Sequence, residues 1–343
     1  MVVNASSTNK ENLHQVYKFF MKAFITGGTG FIGSHLVDHL LKNQNDHISC
    51  MVRSQDKWLH DKDIDRVKGN LQDLDALKKG IEGADVVFHI AGLVKAPDQH
   101  QFDRANVEAT ENVLRLAMKF KVPKLIVLSS LAACGPSFSR PLTEEDPLMP
   151  ITRYGESKKR MEEMIAEVAD DHISVSIIRP PAVYGPREDQ IFSVFQMASW
   201  RIFPVIGPKT PSQISLIHVN DLIQGILLAA EEKKPGIETY FITSEETYTW
   251  DEIRNATQSI LGHKLYKLNL RPRFVEQVAL IAEKAASLIG RYPVINREKA
   301  RELGMQWTCS ADKAVSKLGF QQQTSLMDGL AETIQWYKRH HWL

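Results

Sequence analysis

The chain has 343 residues, of which 43% are hydrophobic and 24% are charged, with a formal net charge of +1. This length and composition suffice for a full apolar core in one large domain or two modest ones. A net charge near zero gives no bias toward nucleic acid. We therefore expect no nucleic-acid partner, and the hydropathy pattern predicts no integral membrane segment.

Residues 1–20 are polar and then mixed, without the apolar stretch of a signal peptide, and we interpret them as a leader outside the fold. The chain has three scattered cysteines, Cys50, Cys134 and Cys309. An odd number without paired spacing argues against a disulfide framework or a zinc site and favours a reducing compartment. The expected location is the cytoplasm.

The first predicted strand, residues 22–25, leads into a glycine-rich turn and then a helical pattern. This order presents backbone N–H groups and a helix N-terminus to a pyrophosphate. Gly27 permits the tight turn, Gly30 lets the phosphates approach, and Gly33 lets the helix pack closely on the strand. The predicted dinucleotide site therefore includes the loop residues Gly27, Gly30, Phe31, Ile32 and Gly33.

Strands and helices alternate along the first half of the chain. Strands are predicted at 47–52, 84–90, 124–129 and 174–178, and helices at 106–119 and 157–168. Such alternation is typical of the α/β class with a parallel, doubly wound (Rossmann) sheet. We assign residues 21–185 to a dinucleotide-binding domain that the chain rejoins at about 215–232.

The pattern changes after residue 185, where prolines become frequent and spacing irregular. We predict that residues 186–343 mainly form a smaller C-terminal substrate lobe, ending in a helical region at 311–340. An apolar helix is predicted at 274–289, which either covers the core or lines a lipid pocket. The second interpretation allows peripheral membrane contact.

The end of the second strand predicts the cofactor preference. Arg53 follows this strand, and no carboxylate stands at the strand end. An acidic residue there accepts a hydrogen bond from a ribose hydroxyl, whereas arginine pairs with a 2′-phosphate. The pattern favours NADP over NAD, although Arg53 can also be interpreted as a solvated loop cation.

Three residues form a candidate proton relay. Tyr154 and Lys158 lie four residues apart on one helix face, and Ser130 follows the strand at 124–129. Tyrosine normally has a pKa near 10, so a cation beside it favours proton transfer near neutral pH. We predict that Tyr154 transfers the proton, Ser130 orients the substrate oxygen, and Lys158 also binds the nicotinamide ribose.

These motifs, with His89-Ile90-Ala91-Gly92, Tyr184-Gly185-Pro186 and His218-Val219-Asn220-Asp221, resemble the extended short-chain dehydrogenases/reductases. The resemblance implies that Asn70 and Leu71 lie near the adenine, with Asn70 replacing the usual aspartate. It places Ala91 and Gly92 near the ribose and phosphates of the cofactor. It places the segment from Pro180 to Val183 near the nicotinamide. By the same resemblance a homodimer is expected.

The branch within that family is predicted from absent features. Ala182 stands where nucleotide-sugar members usually carry asparagine, residues 214–216 lack their arginine, and Leu131-Ala132 replaces the Asp-Glu pair of dehydratases. The remaining pattern resembles the dihydroflavonol-reductase and 3β-hydroxysteroid-dehydrogenase branch. It implies a small-molecule substrate that is apolar, with one ketone or secondary alcohol. A nucleotide-sugar epimerase or dehydratase is the first alternative, and a non-catalytic dinucleotide sensor is the second.

His35 and His39 have the i, i+4 spacing that a metal can use. The sequence places no further ligand beside them, so we expect a solvated helix face and no metal site.

Overall fold

The computed structural model describes residues 21–42, 47–206, 212–270 and 304–343, together with residues 277 and 302. The predicted leader at 1–20 lies outside the described residues, and so does the predicted helix at 274–289 except for residue 277. The strands are β1 (Lys22–Thr26), β2 (His47–Val52), β3 (Asp65–Lys68), β4 (Val86–His89), β5 (Lys124–Leu128), β6 (Ser174–Arg179), β7 (Ala182–Tyr184), β8 (Ile202–Ile206), β9 (Gln213–His218), β10 (Gly236–Phe241), β11 (Thr247–Thr249) and β12 (Tyr266–Leu270).

Helices connect these strands. They are α1 (Phe31–Leu40), α2 (Leu74–Ile81), α3 (Gln99–Asp103), α4 (Ala109–Lys119), α5 (Arg153–Val168), α6 (Phe192–Ser199), α7 (Val219–Glu231), α8 (Trp250–Leu261), α9 (Asp312–Leu318) and α10 (Leu326–Arg339). No helix among the described residues combines the length and apolar character needed to cross a bilayer.

Seven strands form one parallel sheet in the order β10-β6-β5-β4-β1-β2-β3. This order confirms the predicted α/β doubly wound sheet. The chain reverses direction across the sheet between β1 and β4, and ligands of such sheets bind outside the carboxyl ends of the strands at this switch point.

The core lies on both faces of this sheet because its strands are apolar in both directions. Phe24 of β1 joins a cluster with α2, α4 and α5, which includes Leu77 and Met161. The next residue, Ile25, joins the opposite cluster with α1, α7 and α9. Successive strand residues point to opposite faces, so each strand anchors helices on both sides.

The region at 215–232, where we predict that the chain rejoins the dinucleotide-binding domain, contains β9 and α7. There β9 pairs with β7 and β11 in a separate three-stranded sheet, while α7 contacts α1 and β5. The strand that joins the large sheet is β10, which pairs with β6. Strands β8 and β12 form a further parallel pair.

Two helix boundaries differ from the prediction, and both affect the site. The predicted helix at 106–119 is α4 preceded by a π-helical turn, Arg104–Glu108, that continues from α3. The predicted helix at 157–168 begins at Arg153, because the Thr152 side chain accepts a hydrogen bond from Gly155 N at 3.1 Å. Tyr154 therefore lies in the first turn of α5.

Candidate active site

The glycine-rich turn is packed against the strand on the other side of the switch point. Gly27 has a φ of +79°, and a Cβ there would lie 2.6 Å from the Ala91 nitrogen. A Cβ on Gly33 would lie 2.2 Å from the Gly27 oxygen, and Gly30 N donates to that oxygen at 2.9 Å. Only glycine fits at positions 27 and 33. The turn leaves the N-terminus of α1 available to a pyrophosphate.

The other predicted cofactor residues lie after neighbouring strands of the same sheet. Phe31 and Ile32 are half-buried at the start of α1, whereas Arg53 and Asn70 are exposed after β2 and β3. Asn70 Oδ1 accepts a hydrogen bond from Gln72 N at 2.9 Å. This bond closes a turn around Leu71, which is half-buried. Parallel strands end at one edge, so these residues share the carboxyl edge with the glycine turn.

Ser130 acts on the Tyr154 phenol. The Ser130 hydroxyl lowers the pKa of the phenol as a hydrogen-bonding group, and it accepts a hydrogen bond from Ala132 N at 3.1 Å. Burial raises the pKa of Tyr154 to about 12, the Ser130 hydrogen bond opposes this rise, and the Glu302 charge adds to it. At neutral pH the chain by itself holds a protonated phenol beside a hydroxyl, which is a proton donor beside a group able to orient an oxygen.

Lys158 is 3% exposed and reaches the edge of the sheet from below. Its Nζ donates to the Leu128 oxygen at 2.7 Å and lies 3.2 Å from where a Cβ on Gly92 would be. Burial lowers the pKa of Lys158 to about 8, and the Glu162 charge opposes this fall. Its Nζ also donates to the Met161 sulfur at 3.9 Å. An ammonium has three donors, so Lys158 retains one donor for a ligand beside Gly92.

Asn106 connects the cofactor edge to the relay, a role that the sequence analysis missed. Its side chain accepts from Leu93 N at 2.7 Å and donates to Leu93 O at 3.0 Å and Ser157 Oγ at 2.9 Å. Ser157 Oγ in turn donates to the Tyr154 backbone oxygen at 2.7 Å. The π-helical turn directs this buried amide inward.

A buried ion pair behind the relay was also missed. Arg179 Nε lies 3.1 Å from each carboxylate oxygen of Glu162, which also accepts a hydrogen bond from the Ser129 hydroxyl. Both partners are 5% exposed. The pair ties α5 to β6 and fixes the residue before Ser130. Glu162 follows Lys158 by four residues, which was the one available signal.

The remaining predicted residues close the site on the side of β6 and β7. The Pro180 oxygen accepts from Leu131 N at 2.9 Å, so the loop that carries Ser130 is held against the end of β6. Val183 is half-buried in β7 and packs against the apolar cluster below α1. The structure therefore places Lys158 beside Gly92 and links Ser130 to Tyr154.

The prediction of a solvated histidine face is wrong for His35. This side chain is buried, its Nδ1 lies 2.9 Å from the Phe31 oxygen, and burial lowers its pKa to about 4. Among the described residues, no group of three or more His, Cys, Asp or Glu side chains is placed to hold a metal ion.

Comparisons with known proteins identify relatives of the whole chain. Residues 23–242 match the model of the NAD dependent epimerase/dehydratase family. The chain is 30% identical to a ceramide reductase of Caulobacter vibrioides, with 93% of this chain and 95% of that protein covered. It is 27% identical to a farnesyl-dihydroquinoline-oxide ketoreductase of Stigmatella aurantiaca, covering 90% and 95%.

A solved structure extends the likeness to the fold. The UDP-glucuronic acid 4-epimerase of Bacillus cereus, in complex with NAD, superposes with a TM-score of 0.76 at 22% identity, covering 94% of this chain and 100% of that one. The glycine cradle and the Ser130, Tyr154 and Lys158 cluster agree with the family match. This chain is an NAD(P)-dependent dehydrogenase/reductase of the extended short-chain type and belongs to the NAD-dependent epimerase/dehydratase family.

Proposed function

We propose that this protein is an NADP-preferring oxidoreductase that interconverts a ketone and a secondary alcohol on an apolar substrate. The observation that carries this proposal is the Lys158 ammonium beside Gly92, together with a Tyr154 phenol whose pKa the Ser130 hydroxyl lowers. A bound nicotinamide would supply or accept the hydride. The chain itself supplies the proton, the orienting hydroxyl and the cation.

The roles of the three side chains follow from their surroundings. Ser130 is fixed by Ala132 N, so its hydroxyl can hold a substrate carbonyl oxygen in one position. Tyr154, held neutral by burial, donates its proton to that oxygen as the alcohol forms. The Lys158 ammonium stabilises the phenolate left behind and hydrogen-bonds a ribose above Gly92.

Substrate polarity is inferred from the second sheet and the named relatives. Ile214 and Leu216 are packed into the apolar cluster of the second lobe, where nucleotide-sugar members carry a diphosphate-binding arginine. The relatives from Caulobacter vibrioides and Stigmatella aurantiaca are named as reductases of a ceramide and of a farnesylated ring ketone. Both names support an apolar substrate, and the second also supports reduction of a ketone.

The first experiment replaces the phenol. Tyr154→Phe should reduce turnover by about 10²–10⁴-fold, because the proton donor is lost, while the affinity for NADPH remains within about twofold. Tyr240→Phe is the matched control, since burial also raises the pKa of Tyr240 to about 12 but this residue lies on β10, at the sheet edge. Oxidation of NADPH by a panel of lipid, steroid and flavonoid ketones gives the rate.

Two results would contradict the proposal. One is near-normal turnover in Tyr154→Phe. The other is conversion of a nucleotide sugar without net consumption of NADPH, which would indicate an epimerase instead.

Cofactor preference has its own test. Arg53 is exposed directly after β2, and the carboxylate nearest along the chain, Asp56, is paired with Arg66 at 2.7 Å. We expect Arg53→Asp to weaken NADPH binding by roughly tenfold or more, because an arginine–phosphate pair becomes a repulsion. NADH titration of the same variant is the internal control. Equal losses for both cofactors would show that Arg53 does not select the phosphate.

A further inference from the structure

The β8–β12 ribbon, Ile202–Ile206 paired with Tyr266–Leu270, presents an uncovered apolar face. Ile202 and Tyr266 are register partners, so their side chains lie on one face together with Leu268. Trp200, which precedes β8, is 65% exposed, and Ile202, Tyr266 and Leu268 are 37%, 59% and 41% exposed. Phe203 points the other way and is fully buried in the cluster of the second lobe.

The two stretches of sequence that contain β8 and β12 carry no acidic residue. Residues 190–220 and 253–275 contain no aspartate or glutamate in a chain whose charges otherwise balance to +1. The same two stretches carry the cations Arg201, Lys209, Arg254, Lys264, Lys267, Arg271 and Arg273. The segregation of charge is therefore local to the two stretches of sequence that contain β8 and β12.

Two of the cations with described positions, Lys264 and Arg201, lie beside Tyr266. Lys264 Nζ lies 5.6 Å from the centre of the Tyr266 ring, and Arg201, which accepts a backbone hydrogen bond from Tyr266 N at 2.8 Å, is exposed beside it. Lys267 is on the inner face, where it pairs with Asp251 of α8 at 2.7 Å. The outward charge next to Trp200 and Tyr266 is thus positive.

We propose that the β8–β12 ribbon is a docking surface for an anionic lipid bilayer. Tryptophan and tyrosine favour the boundary between headgroups and acyl chains, where a ring is buried and a polar edge remains wet. Lysine and arginine beside them are attracted to acidic headgroups. Ile202 and Leu268 add apolar area that a bilayer covers, and the paired strands keep the ribbon backbone hydrogen-bonded at the surface. The proposal does not depend on the reaction catalysed.

The test is co-sedimentation of the full chain with vesicles of phosphatidylcholine alone or of phosphatidylcholine with phosphatidylglycerol. Binding is expected on the second kind and should weaken as salt is raised. The variant Arg201→Glu/Lys264→Glu should lose at least about fivefold in binding for each cation removed. Trp200→Ser/Tyr266→Ser should lose binding by roughly tenfold or more, with the salt dependence retained.

Matched controls separate this surface from general effects. Phe138→Ser removes an aromatic ring that is 87% exposed elsewhere, and Lys78→Glu/Lys79→Glu reverses two exposed charges on α2. Both controls should bind vesicles as the wild type does. NADPH binding and turnover of a water-soluble ketone should be unchanged in every variant, so failure here is distinguishable from failure of the proposed function.

Three outcomes would overturn the proposal. Vesicles of either composition could leave the protein in the supernatant, or the ribbon variants could sediment as the wild type does. Ultracentrifugation could also show a dimer that only the ribbon variants dissociate, in which case a second copy of the chain covers the ribbon.

Discussion

Two buried lysines of this protein have similarly lowered pKa values but different surroundings. Lys124 on β5 is 1% exposed and Lys158 on α5 is 3% exposed, and burial lowers the pKa of each to about 8. Lys124 Nζ donates to the hydroxyls of Ser174 and Ser176 at 3.0 and 2.7 Å, at the amino end of the sheet. Lys158 lies at the carboxyl end, beside Gly92.

This contrast shows that a perturbed pKa does not by itself identify a catalytic lysine. The ammonium of Lys124 is enclosed by two serines of β6, with opposing charge only from Glu232 and Glu238. The ammonium of Lys158 retains donor capacity beside the cofactor edge. Position at the switch point of the sheet, rather than burial, makes Lys158 the functional candidate.

The largest expected effect is on turnover, and it separates the two lysines directly. Lys158→Met should reduce kcat/KM for ketone reduction by about 10²–10⁴-fold, because the phenolate loses its cation and the ribose loses a donor. Lys124→Met should leave kcat/KM within about twofold, since its ammonium hydrogen-bonds Ser174 and Ser176 at the amino end of the sheet, away from the carboxyl edge. Steady-state rates with NADPH decide the point. Comparable losses in both variants would mean that burial of the charge, not location, governs activity.

The sequence predicts one of these lysines and not the other. Tyr154 and Lys158 are recognisable because their spacing is local and follows a strand that ends in Ser129-Ser130. Lys124 reads from sequence as the polar start of a strand, and only the pairing of β5 with β6 brings Ser174 and Ser176 to it. Contacts between residues about fifty positions apart have no local signal.

The same reasoning explains the other differences between prediction and structure. The order of the large sheet follows from alternating elements, whereas its seventh strand, β10, joins after an excursion into a second sheet. Glu162 resembles a solvated helix residue until β6 places Arg179 against it. Asn106 acts through a π-helical turn, which helical periodicity does not reveal.

A second prediction concerns stability. Below pH about 8 the folded protein holds a protonated Lys124 that the unfolded chain, with a pKa near 10.4, solvates better. This difference destabilises the fold by about 3 kcal/mol, and the penalty disappears as pH rises from about 8 through 10.4. Lys124→Met should therefore raise the free energy of unfolding at pH 7 by about 2–3 kcal/mol, with no gain above pH about 11.

Urea unfolding at pH 7 and at alkaline pH measures this gain. Lys78→Met, an exposed residue on α2, is the control and should change stability by less than about 0.5 kcal/mol. A destabilised Lys124→Met at pH 7 would show that the two serine hydrogen bonds outweigh the desolvation of the ammonium. Lys158→Met should also gain stability, at the expense of activity.

The smallest expected effect is a shift in the pH dependence of kcat/KM, which tests the role of Lys158 in the active site. Reduction requires the Lys158 ammonium and the neutral Tyr154 phenol, so the rate should fall as pH rises above about 8 while Tyr154, at about 12, remains protonated. The Glu162 carboxylate holds the Lys158 pKa up. Glu162→Gln should therefore move the alkaline limb of kcat/KM to lower pH by about one unit.

A neighbouring carboxylate provides the control for this shift. Glu163 is exposed and pairs with Lys159 at 3.9 Å, so Glu163→Gln should leave the alkaline limb in place. Glu162→Gln also leaves Arg179 buried without its carboxylate, which costs about 3–5 kcal/mol, so the profile is measured well below the melting temperature of the variant. Lys124→Met should not move the limb, because its ammonium, although it titrates at the same pH, faces no substrate. If the alkaline limb of kcat/KM moved in Lys124→Met and not in Glu162→Gln, the pH dependence would come from Lys124 at the amino end of the sheet. That result would contradict a catalytic role of the Lys158 ammonium.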